Sequence, residues 1–296
     1  MGTALVRRHI GRTFETMRLR RGLTQEQAGQ ALQRSRGTIS RIEEGHPNVR
    51  FRDLDVAAML DLYEATDSER ELLVALTAET RNGNKKSWWH DYTETDLPEQ
   101  MRLFYVLEDA AATICQYEPE LIPGLLQTRR YAWLMMTTPA GYATEEEAQR
   151  RTQLRMDRQG VLTRPRAPQL NAVLNEAVIR RPMGGPDVMA EQLEHLLALA
   201  ARGNITIRIV PFSAGVHAGA VVSAFSLMDF PDLPGTDGPL EPPVVFVDTL
   251  TGAMYLNKPD EVAAYRLVWQ DLINRALNPD ESLDLIRDVL EEYRNG

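Results

Sequence analysis

The chain has a single cysteine, Cys115, in 296 residues, which excludes an intrachain disulfide and any cysteine-based zinc cluster. It lies in Thr113–Tyr117, TICQY, a run that reads as a strand, so a buried and inert thiol is expected. The five histidines (His9, His46, His90, His195, His217) are scattered, with no pair at the i, i+4 spacing of a zinc-binding helix. No nucleophile elbow, Walker loop or dinucleotide fingerprint occurs. These absences argue against an enzyme, and no metal or cofactor is expected. No apolar run approaches the roughly 18 residues needed to cross a membrane, and the N-terminus lacks a signal-peptide core. A cytoplasmic protein without membrane contact is the expectation.

Lysine is missing from the first 52 residues, which nonetheless form the basic part of an acidic chain. The formal net charge is −9. Residues 1–52 hold eleven arginines against four acids (Glu15, Glu26, Glu43, Glu44), a local charge of +7. The remaining 22 basic and 38 acidic residues leave −16 for the rest. A basic module on an acidic body is the charge pattern of nucleic-acid contact. Arginine alone favours bidentate pairing with phosphate and guanine over diffuse attraction.

Gly22–Gly45, GLTQEQAGQALQRSRGTISRIEEG, reads as helix, turn, helix. Thr24 is placed as an N-cap with Gln27 completing a capping box, and Ala28, Ala31 and Leu32 form a short apolar stripe. Ser35 offers a second N-cap. A helix from Arg36 to about Glu44 then has Ile39 and Ile42 inward, and Gly45 closes it. A first helix over Arg8–Arg21 places Ile10, Phe14, Met17 and Leu19 on apolar positions. Leu54–Tyr63, apolar at Leu54, Ala57, Ala58 and Leu60, and Ser68–Thr80 complete five helices. The segment resembles the helix-turn-helix of the Xre, or phage-repressor-like, family, whose pattern runs Thr-Gln, an Ala-rich helix, Ser-x-x-Thr-Ile-Ser and Ile-Glu-x-Gly. That resemblance implies that Gln25, Arg36, Gly37, Thr38, Ser40 and Arg41 face double-stranded DNA, and that Arg18 pairs with Glu43. In this architecture the following loop touches the backbone of DNA, which makes Arg50 and Arg52 phosphate candidates. Gly29, where alanine is usual, and Gln33, where a turn glycine is usual, depart from the pattern and predict a strained turn.

The length predicts two domains: an all-α helix-turn-helix domain over 1–81, a polar linker over 82–98, and an α+β domain over 99–296. Within the last, helices are expected at Leu97–Ala112, Leu125–Met136, Thr144–Gln159, Asp187–Ala201, Glu261–Leu277 and Glu281–Tyr293. Strands are expected at Thr113–Tyr117, Gln169–Asn175 continuing into Glu176–Arg180, Ile205–Val210, Val221–Asp229 and Val244–Asp248. The Gly- and Pro-rich Pro231–Pro243 reads as an exposed loop. The Glu145–Glu147 charge run suits a helix N-terminus and needs no catalytic role.

A second set of motifs runs through this region: Trp88-Trp89 with Tyr92, Tyr117-Glu118-Pro119, IPGLLQT (Ile122 to Thr128) followed by Tyr131-Ala132, Leu174–Ala177, Glu191–Leu193, Val210–Gly215 and Ser282-Leu283. Together they resemble a large uncharacterised domain that follows the helix-turn-helix in many actinobacterial regulators. The resemblance implies a transcriptional regulator of development or secondary metabolism, of a kind often encoded beside a very small partner protein and at times described as antitoxin-like. It also carries the expectation of a homodimer on a two-half-site operator. Trp88, Trp89, Tyr117, Leu125, Gln127, Tyr131, Phe212 and His217 are candidates for an effector or partner surface. For IPGLLQT, core packing, an interface and a pocket wall all remain open. Glycines around His217 predict that it is exposed. The alternative reading is an antitoxin-like interaction module whose main role is to sequester a small partner.

Overall fold

Thr24 and Ser35 start helices through their hydroxyls. In the computed structural model, which describes residues 3–46, 48–82, 99–138, 143–232, 239, 241–249 and 252–295, α2 spans Gln25–Ala31 and α3 spans Arg36–Glu43. The Thr24 hydroxyl accepts from Gln27 N while the Gln27 side chain accepts from Thr24 N, closing the capping box. Ser35 accepts from Thr38 N. Before them runs α1 (Thr3–Arg20), and after them α4 (Asp53–Leu62) and α5 (Asp67–Asn82), the last opened by a reciprocal Thr66–Glu69 cap. The chain divides into two units, Met1–Ser87 with Pro231–Glu241, and Trp88–Phe230 with Pro242–Gly296. The described helices of the first are these five.

Its core is Val6, Ile10, Phe14, Met17, Ile39, Leu60, Tyr63 and Leu73, all buried. Five expected apolar positions are corrected: Ala57 and Ala58 of α4 are exposed, as are the three that follow. Leu19 is 59% exposed and Leu54 is 85% exposed, because the inward face of α4 is Val56, Met59, Leu60 and then Tyr63, spaced i, i+3, i+4, i+7. Leu54 lies on the opposite side. Ala31 is also exposed, and α2 buries Ala28 and Gly29 instead. Helices α1 and α3 cross at backbone contact: a Cβ on Gly11 would stand 2.3 Å from the Glu43 carbonyl oxygen.

The two departures in the turn explain each other. Gln33 adopts φ +52°, a left-handed conformation that costs a side-chain-bearing residue about 1–2 kcal/mol. The chain then doubles back so that Arg34 N donates to Gly29 O at 2.8 Å, and a Cβ on Gly29 would lie 2.7 Å from Arg34 O. Gln33→Gly should therefore stabilise the first unit by about 0.5–1 kcal/mol. Stronger hydrogen-exchange protection of α2 and α3 is the expected reading, and an unchanged or weaker one would mean the turn is relaxed as it stands.

The second unit is built on one mixed sheet. Its strands are β1 (Thr113–Glu118), β2 (Gln169–Asn175), β3 (Ile205–Val210), β4 (Phe225–Asp229), β5 (Val244–Thr249) and β6 (Gly252–Leu256), ordered β3-β2-β1-β4-β5-β6. The first three pair in parallel and the last three antiparallel. Its helices are α6 (Glu99–Ala110), α7 (Arg129–Met136), α8 (Glu145–Arg158), α9 (Glu176–Arg180), α10 (Pro186–Ala200), α11 (Pro259–Arg275) and α12 (Pro279–Asn295). With the helical first unit, this is the all-α plus α+β organisation expected.

Several elements differ from expectation. Glu176–Arg180 is a helix, because the Asn175 side chain accepts from Ala177 N and caps it. Leu125 lies in a 3-10 turn, Gly124–Leu126, and α7 starts only after Thr128, whose side chain accepts from Tyr131 N. Ala218–Val221 is a second 3-10 turn, so β4 begins at Phe225. Strand β6, GAMYL, carries little β-branched signal and was not anticipated. On one sheet face Cys115, Tyr117, Val173, Phe225, Leu227 and Val245 pack against Val262 and Leu272 of α11. Burial there pushes the Cys115 thiol up to about 11, so it is inert as expected. Alternation turns Gln116, Glu118, Ser226, Phe246 and Asp248 to the other face, where Phe104 of α6 stacks on Phe246 at 4.2 Å between centroids.

Candidate nucleic-acid interface

Arg18 and Glu43 are both buried at 5% exposure. Arg18 Nε donates to Glu43 Oε1 at 2.6 Å and its Nη2 to Oε2 at 2.9 Å, while Nη1 donates to Leu23 O at 2.6 Å. The hydrogen bond to Glu43 is the main reason the Arg18 pKa is raised. Gln25 Nε2 donates to Glu43 Oε2 at 2.8 Å. The end of α3 is thus tied to α1, to the turn before α2 and to the start of α2. Gln25, expected to face DNA, spends its amide nitrogen on this network, which sequence reasoning did not foresee.

With α3 held in this way, its outer side carries Arg36, Gly37 and Arg41 exposed and Thr38 and Ser40 half-buried. Arg41 Nε rests on Gly37 O at 3.1 Å, and Ser40 Oγ donates to Glu44 Oε1 at 2.6 Å. A Cβ on Gly37 would meet nothing nearer than Ser35 Oγ at 4.0 Å, so the fold itself does not require glycine there. A concave surface of about 390 Å³ joins Arg41 to Arg50 and Arg52, between α3 and the start of α4. Thr38 lies in the same groove.

The arginines of residues 1–52 divide into two groups. Arg20 pairs with Glu69 at 2.8 Å, Arg21 with Glu64 at 2.7 Å and Arg34 with Asp55 at 2.6 Å. Arg7 donates to Val49 O and lies over the Phe51 ring. Arg8 and Arg12 meet Glu241 at 3.4 and 2.8 Å. Glu241 is completely buried, which corrects the expectation that all of Pro231–Pro243 is an exposed loop. Burial pushes its carboxyl up while Arg12 and Arg8 pull it down. Arg18 is the buried partner of Glu43. Among the described residues, Arg7, Arg36, Arg41, Arg50 and Arg52 have no carboxylate partner; Arg7 is half-buried on Val49 and Phe51, and the other four are exposed. Their charge is available to an external anion.

The candidate residues of the second unit do not form one site. Tyr117 is buried and donates to Gly219 O at 3.3 Å, with His217 edge-on at 6.5 Å. His217 is itself 8% exposed; the exposed member of its loop is Val216, so the glycines around it turn the chain without presenting the imidazole. Gln127 lies on the opposite side of the sheet, donating to Ile122 O at 2.7 Å and accepting from Arg155 at 2.8 Å. Leu125 and Tyr131 are fully enclosed core residues, which decides IPGLLQT largely for core packing. Phe212 is 59% exposed, apart from the rest. Trp88 and Trp89 lie outside the described residues.

Sequence reasoning missed the buried pair Arg158–Glu108, in which Arg158 Nε donates at 2.6 Å to Glu108 Oε1 and stacks over Phe104 at 5.0 Å. A signal was present: Glu108 falls on the same i, i+4, i+7 stripe of α6 as Phe104 and Ala111.

Among the described residues no helix is long and apolar enough to cross a membrane. Residues 9–73 match a family of helix-turn-helix domains, the kind of domain that marks a DNA-binding regulator. No curated protein and no solved structure matches the chain. Residues 101–288 match the domain of unknown function DUF5753, and since this match covers more than half of its length, the chain belongs to the DUF5753 family, here joined to an N-terminal helix-turn-helix.

Proposed function

We propose that this chain is a sequence-specific transcriptional regulator of the Xre type, a cytoplasmic homodimer without enzymatic activity. The observation that carries the reading is the set of four exposed arginines without a carboxylate partner, all on α3 or the segment after it. Arg36, Ser40 and Arg41 read base edges, and Thr38, Arg50 and Arg52 hold phosphates. Gln25 supports the interface by fixing Glu43. Gly37 leaves room for close approach to the groove. The DUF5753 unit then binds an effector, a second subunit or a small protein partner, in a regulator of development or secondary metabolism.

The test is a gel shift of the intact protein on its own upstream DNA across a salt series. Arg41→Ala should cost about 1–3 kcal/mol and relax specificity at one base step. Wild-type binding should fall steeply with salt, since cations on phosphate displace counterions. Equal binding by wild type and Arg41→Ala would overturn the placement of α3 on DNA. The charge of −16 outside residues 1–52 favours the second reading, an antitoxin-like receptor for a small basic partner. Co-purification of such a protein, with no DNA shift at low salt, would support it.

A further inference from the structure

A cavity of about 290 Å³ opens on the sheet face opposite α11, between β1, β4 and β5 and under α6 and α8. Chain order reverses here: β1 leads to β2 on one side, while β4 pairs with it on the other. The volume is at the lower end of the roughly 300–1,000 Å³ usual for ligand sites, which restricts the occupant to a small molecule.

The walls carry charge that the protein leaves incompletely paired. Arg158 is neutralised by Glu108. Glu118, at the end of β1, accepts from Gln116 Nε2 at 2.9 Å, yet no cation of the described residues lies within ion-pair distance of it or of Asp248 on β5. Arg155 has Gln127 as its partner and no carboxylate within that distance. A carboxylate left in a low-dielectric site without a counter-ion is costly, and a ligand cation would remove that cost. Burial pushes the Glu118 carboxyl up to about 7, and the Asp248 carboxyl is also raised by burial. The rings of Phe104 and Phe246 supply the apolar part of the lining.

We propose that this cavity binds a small primary-ammonium compound, its ammonium at Glu118 and Asp248 and its apolar body against Phe104 and Phe246. The proposal rests on reading the DUF5753 unit as the sensing part of the regulator, but it does not depend on DNA binding.

The test uses phenethylamine and, as a probe of similar size and opposite charge, 3-phenylpropionate. Both are titrated into the intact protein without DNA at pH 8, followed by calorimetry and thermal unfolding. Phenethylamine should bind saturably and raise the unfolding temperature, and 3-phenylpropionate should do neither. Glu118→Gln, which keeps the shape of the side chain, should weaken phenethylamine at least tenfold. Asp248→Asn keeps the shape of the side chain and should weaken binding severalfold. Absence of saturable phenethylamine binding would overturn the proposal, as would equal binding of the acid or unchanged affinity in both variants. Because no DNA is present, such a failure leaves the DNA-binding reading standing, and a failed gel shift leaves this one.

Discussion

Glu43→Ala should destabilise the helix-turn-helix unit by about 3–5 kcal/mol, the loss seen when one partner of a buried ion pair is removed. Arg18 would keep a single acceptor, Leu23 O, for a guanidinium that is 5% exposed. Gln25 would lose its acceptor as well. Hydrogen exchange in the intact chain measures the effect where it arises, as lost protection of α1 and α3 amides while the sheet of the other unit is unchanged. The double variant Arg18→Met/Glu43→Leu should recover most of the loss, because apolar side chains of similar volume avoid the desolvation of both charges. It should not recover full DNA affinity, since Gln25 and the end of α3 would no longer be tied together by directed bonds. A loss below about 1 kcal/mol in Glu43→Ala would mean that water reaches the pair and that α3 is held by Ile39 and Ile42 alone.

Glu118→Gln should act in the opposite direction, and only above about pH 4.5. The Glu118 carboxyl titrates at about 7 in the folded chain, raised first by burial, against an ordinary value of 4.5. Between these values the folded state binds the proton that the unfolded state has released. This group's contribution to stability therefore falls as pH rises from 4.5 to 7, by roughly 3 kcal/mol in all. The charges near it are Arg155 and Arg158 on α8, which lower its pKa, and Asp248 on β5, which raises it. Glutamine removes the titration, so the variant should match wild type near pH 4.5 and exceed it by up to roughly 3 kcal/mol at pH 8. Urea unfolding of the sheet-containing unit at the two pH values gives the comparison. An identical difference at both would show that Glu118 is not forced to ionise at a cost. A carboxylate that lowers stability at working pH is what a binding site is expected to contain, because side chains placed for a ligand are not placed for the fold.

The capped helices of the first unit were legible in the sequence and the cavity was not, for a physical reason. Caps, turns and helical stripes are local: Thr24, Ser35 and Gly45 act within a few residues of themselves, so their roles follow from spacing alone. The Arg18–Glu43 pair was reachable only through resemblance to a family. Its third and fourth members, Leu23 and Gln25, came from packing. The family motifs placed Tyr117 and Gln127 in candidate positions, but not on one site, since Tyr117 faces α11 while Gln127 belongs to another segment. The expected exposures of Leu54, Leu19 and His217 failed for a related reason: an apolar or glycine-rich pattern states a preference, while the neighbour across the contact decides which side is covered.

From the sequence by itself came an all-α basic head with its two capped helices, an α+β body, and the residues on the outer side of α3. All of these depend on short-range hydrogen bonding, side-chain period and charge count. Tertiary structure alone decided which arginines lack a carboxylate partner, because six of the eleven are neutralised by acids distant in the chain, such as Glu69 for Arg20 and Glu241 for Arg12. It also decided that Gln116, Glu118, Arg155 and Asp248 surround one cavity, since strand order and helix docking, not spacing along the chain, bring β1, β5 and α8 together.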